Sequence, residues 1–85
     1  MVTVRYFAAA KDAAGVATDD VDVDLDGVGG TLTVAALRAL LIARRPALER
    51  VLRQSRIAVR QRFATDEFVV DDGADVAVIP PVAGG

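Results

Sequence analysis

Residues 75–85 read Asp75-Val76-Ala77-Val78-Ile79-Pro80-Pro81-Val82-Ala83-Gly84-Gly85, and the stretch carries two opposed signals. Asp75 to Ile79 is a short apolar run rich in β-branched residues, the pattern of a central, well-buried strand. Pro80-Pro81 ends it, because two successive residues without N–H groups cannot serve a hydrogen-bonded ladder. The six residues 80–85 then form an extended arm. Its prolines bias it to polyproline II, and at about 3.1 Å per residue it reaches roughly 19 Å from the sheet. Gly84 and Gly85 carry no Cβ, so the tip fits a channel too narrow for any other dipeptide. A terminal carboxylate, ionised at neutral pH, is a competent nucleophile toward the α-phosphate of ATP and a poor electrophile until activated. The competing account is a frayed end that finishes in glycine by coincidence.

Working outward, the rest of the chain supplies a small globule to which this arm is attached. Val2-Thr3-Val4-Arg5-Tyr6-Phe7 alternates as a first strand, with Val2, Val4 and Tyr6 on one face and Thr3, Arg5 and Phe7 on the other. Ala8 to Gly15 reads as one or two helical turns ended by the glycine. Val21-Asp22-Val23-Asp24-Leu25-Asp26 alternates again, apolar on one face and acidic on the other, which suits an antiparallel hairpin with the first strand. Gly27-Val28-Gly29-Gly30 is a flexible break. Thr33 stands where a helix N-cap belongs, with Leu32 placed to staple against Leu37. Val34, Leu37, Leu40 and Leu41 form the buried stripe of a helix that Pro46 stops at Arg45. Ala47 to Leu52 reads as a further helical turn, Ile57 to Gln61 as a third strand, and Phe68-Val69-Val70 as a short strand before the turn Asp71-Asp72-Gly73. The fold class is α+β: one main helix packed across a small mixed sheet, with a single domain over residues 1–79 and the arm over 80–85.

Composition narrows the chemistry. The chain has 85 residues, 53% of them hydrophobic, which is too apolar for disorder and long enough for one core. It has neither Cys nor His, so disulfides, thiolate nucleophiles, Ser-His-Asp sets and the usual zinc ligands are ruled out. Gly27-Val28-Gly29-Gly30 has neither the spacing nor the lysine of a phosphate loop. Asp22, Asp24 and Asp26 read as a solvated strand face, and Asp71-Asp72-Gly73 as turn chemistry without the other ligands of a calcium loop. No catalytic residue and no metal site is expected. A net charge of −2 gives no bulk attraction to nucleic acid or anionic lipid. No stretch approaches the roughly 20 apolar residues of a membrane span, and the first residues lack a signal-peptide pattern, so a cytoplasmic location is expected. Charge is nonetheless blocky: residues 1–37 sum to −4, residues 38–62 to +7 with eight arginines, and residues 63–85 to −5. The arginine block reads either as a docking surface or as a solvated face balanced by nearby carboxylates.

Several segments together resemble the sulfur-carrier small subunits of molybdopterin synthase, the MoaD/ThiS family of ubiquitin-like β-grasp proteins. Val4-Arg5-Tyr6-Phe7-Ala8 is similar to that family's first strand, Thr33-Val34-Ala35-Ala36-Leu37-Arg38 to its helix start, and Val59 through Ala64 to its third strand. Asp72-Gly73-Ala74-Asp75-Val76-Ala77 followed by Pro80-Pro81-Val82-Ala83-Gly84-Gly85 is similar to its closing signature. The double proline is the most specific element, since thiamine-pathway carriers of this fold usually lack it. Arg60 stands where Asn is common, and Val78-Ile79 replace a frequent aromatic pair.

The resemblance implies a non-catalytic subunit that acts as a cosubstrate. An E1-like adenylating enzyme would use ATP to activate Gly85, and a sulfur donor would convert the adenylate to a thiocarboxylate. Gly84, Ala83, Val82 and Pro81 would enter the active site of the large synthase subunit, in a heterotetramer, where sulfur passes to cyclic pyranopterin monophosphate. No cofactor bound by the chain itself is implied. Alternatives are a sulfur carrier for cysteine or thiamine synthesis, a ubiquitin-like modifier, or an interaction module whose arm is never activated. Strand alternation also sketches a partner-docking face. If Val2, Val4, Val76 and Val78 face the helix, Phe7 and Ile79 project from the other side, where Phe63 can join them.

Overall fold

The computed structural model describes residues 1–22 and 32–81. Strand β1 (Val2–Tyr6) leads into helix α1 (Ala8–Ala14) and strand β2 (Thr18–Val21). Helix α2 (Val34–Arg44) is followed by a 3-10 turn (Pro46–Leu48), helix α3 (Glu49–Gln54) and strands β3 (Arg56–Val59), β4 (Arg62–Ala64) and β5 (Asp75–Ile79). The sheet order is β2-β1-β5-β3-β4. β1 and β5 run parallel, with Val4 opposite Val76 and Tyr6 opposite Val78, and the other pairings are antiparallel. β5 therefore sits in the middle of the sheet, where its apolar run belongs.

Alternation sorts the side chains. Val2, Val4, Tyr6, Val21, Ile57, Val59, Val76 and Val78 are all buried beneath the helices. Above them α2 lays down Val34, Leu37 and Leu41, with Leu40 partly buried at the margin. Thr33 caps this helix as its position predicts, its hydroxyl accepting from the Ala36 N–H at 3.1 Å, and Leu32 and Leu37 are both buried beside the cap. Helix α1 adds Ala10 and Ala14 and ends at Gly15 in the left-handed conformation (φ 77°). Leu48 and Leu52 are also fully buried in the core, so the helices α1, α2 and α3 all contribute to it.

Three expectations are corrected. The second strand begins earlier than its alternation suggests, at Thr18, because Asp19 and Asp20 are poor strand formers held in place by tertiary contacts. Its pairing with β1 is antiparallel as expected, with Val2 opposite Val21; Val23 to Asp26, like the glycine-rich break after them, lie outside the described residues. The third strand stops at Val59. Arg60 (φ 51°) and Gln61 (φ 70°) form a two-residue turn, and the chain returns as β4 with Val59 opposite Arg62. Positive φ at both central positions is the twist-matched hairpin geometry normally signalled by Asn-Gly, so an Arg-Gln pair gives no warning of it. Phe68 to Val70 is not a sheet strand. It makes one bridge, Val69 to Thr33, and its backbone bonds Phe68 C=O to Val34 N–H and Val70 N–H to Leu32 C=O tie it to the entry of α2.

Candidate functional site: the root of the arm and the outer sheet face

Ile79 is the last residue of the central strand, half-buried, with Pro80 half-buried and Pro81 exposed beyond it. Four register pairs to β1 and four to β3 hold β5, so the chain leaves the sheet from a strand anchored on both sides. Val82, Ala83, Gly84 and Gly85 lie outside the described residues.

Around this exit the outer face of the sheet is assembled by register. Thr18, Arg5, Ala77, Ala58 and Phe63 form one row across all five strands. The next row, nearer the exit, pairs Ile79 with Arg56. Phe7 follows Tyr6, whose partner is Val78, and its backbone stays extended (φ −120°, ψ 150°). Tyr6 points into the core, so Phe7 points outward, level with Ile79. Phe7 is 47% exposed and Phe63 58% exposed, too large a fraction for side chains that serve only the core. The register thus carries the three residues singled out from the sequence, Phe7, Phe63 and Ile79, to one face and one end of it.

Arg56 was not singled out, yet it stands among them. Its guanidinium carbon lies 4.2 Å from the centroid of the Phe63 ring, a cation–π stack. Only the pairing of β3 with both β4 and β5 reveals this neighbourhood. Phe68, exposed, lines a cleft of about 480 Å³ with Phe63, Arg60, Arg62, Val59 and Ala64 on the flank of β4.

Part of the arginine block is structural. Arg38 of α2 donates to the carbonyls of Leu52 (2.5 Å) and Ser55 (2.9 Å) and to Asp66 (3.1 Å). The two carbonyls belong to the end of α3, where helix geometry leaves acceptors unpaired, so Arg38 caps the turn that launches β3 and Arg56. Ser55, the buried polar residue of that turn, donates its hydroxyl to the Val51 carbonyl at 2.7 Å. At the opposite flank Arg45 grips Asp19 through two nitrogens (2.6 and 2.7 Å) and also reaches the Ala14 carbonyl, while the Tyr6 hydroxyl donates to the same carboxylate at 2.7 Å. The Arg45 hydrogen bonds hold Asp19 below its ordinary carboxylate range against the opposing effect of burial. Burial first, then the bond to anionic Asp19, pushes the Tyr6 phenol up. Arg53 with Glu49, Arg60 with Asp71 and Arg5 with Asp75 are exposed pairs that contribute little each.

Among the described residues no group of acidic side chains is arranged to hold a metal ion, and no helix is long and apolar enough to cross a membrane. Among the described residues the geometry offers a partly apolar surface at the end of β5.

Residues 4–85 match the model of the ThiS family. A molybdopterin synthase sulfur carrier subunit from Chlamydomonas reinhardtii is 33% identical over 86 aligned positions, covering 99% of this chain and 98% of the relative. The crystal structure of SAMP1 from Haloferax volcanii superposes with a TM-score of 0.83 at 28% identity, covering 99% of this chain and 98% of the other. A chain in the complex of subunits 1 and 2 of molybdopterin-converting factor from Helicobacter pylori 26695 shares the fold, with a TM-score of 0.67 at 22% identity over 99% of this chain and 97% of that one. The order of strands, the helix laid across them and the full-length match place this chain in the ThiS family of ubiquitin-like β-grasp proteins, as a sulfur carrier of the MoaD/ThiS type.

Proposed function

We propose that this protein carries sulfur for molybdenum cofactor biosynthesis as the small subunit of a molybdopterin synthase. The observation that carries the reading is the sequence Pro80-Pro81 directly after the central strand, then Val82 and Ala83, then the two glycines, Gly84 and Gly85. An E1-like enzyme joins the Gly85 carboxylate to the α-phosphate of ATP and releases pyrophosphate. A persulfide sulfur attacks the acyl-adenylate carbon and AMP leaves. A thiol then reduces the acyl disulfide, so that a thiocarboxylate remains at Gly85 and the persulfide enzyme is left as a disulfide. Pro81, Val82, Ala83, Gly84 and Gly85 thread into the large subunit, and two carriers in turn give their sulfur to cyclic pyranopterin monophosphate. Phe7, Phe63 and Ile79 form the surface on which the large subunit closes. The chain itself binds no cofactor in this scheme, and partners provide the phosphate-binding and acid–base groups that its composition lacks.

The test is direct. The chain is incubated with an E1-like activating enzyme, ATP and a sulfur source, and its mass is measured. A gain equal to sulfur replacing oxygen at Gly85 supports the reading, and no change under conditions that load a known carrier rejects it. Gly84→Val should fold as the parent does and fail to support cofactor production in cells. Co-purification of the large synthase subunit separates this route from cysteine or thiamine synthesis. A second reading, a protein modifier, is favoured by the likeness to SAMP1, a small archaeal modifier protein by name; amide linkage of Gly85 to lysines of other proteins would mark it.

A further inference from the structure

We propose that Arg56 is a preformed receptor for a carboxylate of the large synthase subunit, set in the apolar frame from which the arm springs. The proposal rests on the reading that the arm is delivered into that subunit, and it concerns how the subunit recognises this chain. Arg56 is exposed, lies opposite Ile79 in the register and stacks on Phe63 at 4.2 Å. A guanidinium held over a ring face by its central carbon keeps its N–H groups at the rim of the contact, available to an acceptor. Among the described residues, no carbonyl or carboxylate accepts a hydrogen bond from those groups. Arg5 is engaged by Asp75, Arg38 by Asp66, Arg53 by Glu49 and Arg60 by Asp71, whereas Arg56 is held by the Phe63 ring. Asp66, which lines the same cleft as Arg56 and Phe63, is already bonded to Arg38.

A partner that receives the arm must lie over its root, and so over Ile79, Phe7 and the Arg56–Phe63 stack. Closing that surface strips water from a guanidinium that cannot give up its proton. An unpaired buried charge is strongly unfavourable, and Phe63 offers only a ring face that is already occupied. The matching surface must therefore bring an acceptor, and a carboxylate meets the planar fork with two parallel hydrogen bonds. The partner surface that fits is an apolar patch bearing one Asp or Glu level with Arg56.

Calorimetric titration of the isolated large synthase subunit with the full-length parent chain, Arg56→Leu and Arg56→Lys tests this. If the site is a carboxylate receptor, Arg56→Leu binds about tenfold or more weakly although it enlarges the apolar patch, because the partner's carboxylate is left without a donor. Arg56→Lys also binds more weakly than the parent, having lost the fork and the planar stack. The parent's affinity falls more steeply with added salt than that of Arg56→Leu. Arg56→Leu binding as tightly as the parent, or more tightly, overturns the proposal and marks the face as purely apolar. Thermal melts of each variant establish that the exposed substitution leaves the fold intact, and the Lys variant carries the test should the Leu variant misfold. Failure of the parent itself to bind the large subunit removes both this proposal and the functional reading; parent binding matched by Arg56→Leu removes this one alone.

Discussion

Replacing Tyr6 by Phe deletes a single oxygen from the clamp that holds the end of β1, one residue before Phe7. The Tyr6 side chain is 3% exposed, and its hydroxyl stands 2.7 Å from Asp19 Oδ2. A hydrogen bond to a charged acceptor contributes about 1.5–3 kcal/mol net, and the gain from burying a more apolar ring offsets part of its loss. Asp19 keeps both bonds from Arg45, so Tyr6→Phe leaves no orphaned buried charge. The expected loss is about 1–2 kcal/mol, a fall in Tm of roughly 5–12 °C for a domain of this size. Asp19→Asn should cost more, because it removes the charge facing Arg45 and turns one of the two accepting oxygens into a donor, leaving three donors with one acceptor. The acid dependence has a definite sign. Asp19 has a folded-state pKa below its ordinary value of 3.8, so its contribution is complete above the unfolded value and is lost as pH falls through the folded one. The stability difference between parent and Asp19→Asn should therefore be constant near neutrality and shrink in acid below the ordinary carboxylate range. Urea denaturation across a pH series measures both effects. Equal midpoints for parent and Tyr6→Phe at neutral pH, or a difference from Asp19→Asn that grows as acid is added, would refute the argument.

Two further outcomes follow from the packing. Phe7→Ala, at a side chain nearly half exposed, should weaken binding to the large subunit by about tenfold while lowering the melting temperature only modestly; equal affinities by calorimetry would remove Phe7 from the docking surface. Leu37→Ala empties a fully buried position of α2 and should cost about 2–5 kcal/mol, a large share of the stability of so small a domain. An unchanged urea midpoint would show that α2 is not the element that closes the core.

What could be read in advance divides by the range of the interactions involved. The limits of β5, the Thr33 cap, the end of α2 before Pro46 and the Gly15 stop depend on a residue and its near neighbours, and each stands where the sequence places it. The failures share one cause. Thr18 to Val21 is a strand because Tyr6 and Arg45, distant in sequence, hold Asp19. Arg60 and Gln61 accept positive φ because the pairing of β3 with β4 requires a reversal there. The arginine block reads as a possible docking surface until Arg38 and Arg45 are seen to bond carbonyls far along the chain.

The end of the central strand was legible from order alone, since Pro80 and Pro81 lack N–H groups wherever the rest of the chain folds, and β5 stops at Ile79 before them. So was the division of strand faces, because alternation in a pleated chain is a local property. Which strands become neighbours is decided only when the helices bury one side of the sheet, and that closure sets β1 beside β5 and β5 beside β3. The outer face therefore belongs to the tertiary structure. Phe7, Arg56, Phe63 and Ile79 come from four separate segments, and only the mutual satisfaction of backbone hydrogen bonds across the central strands brings them to the root of one arm.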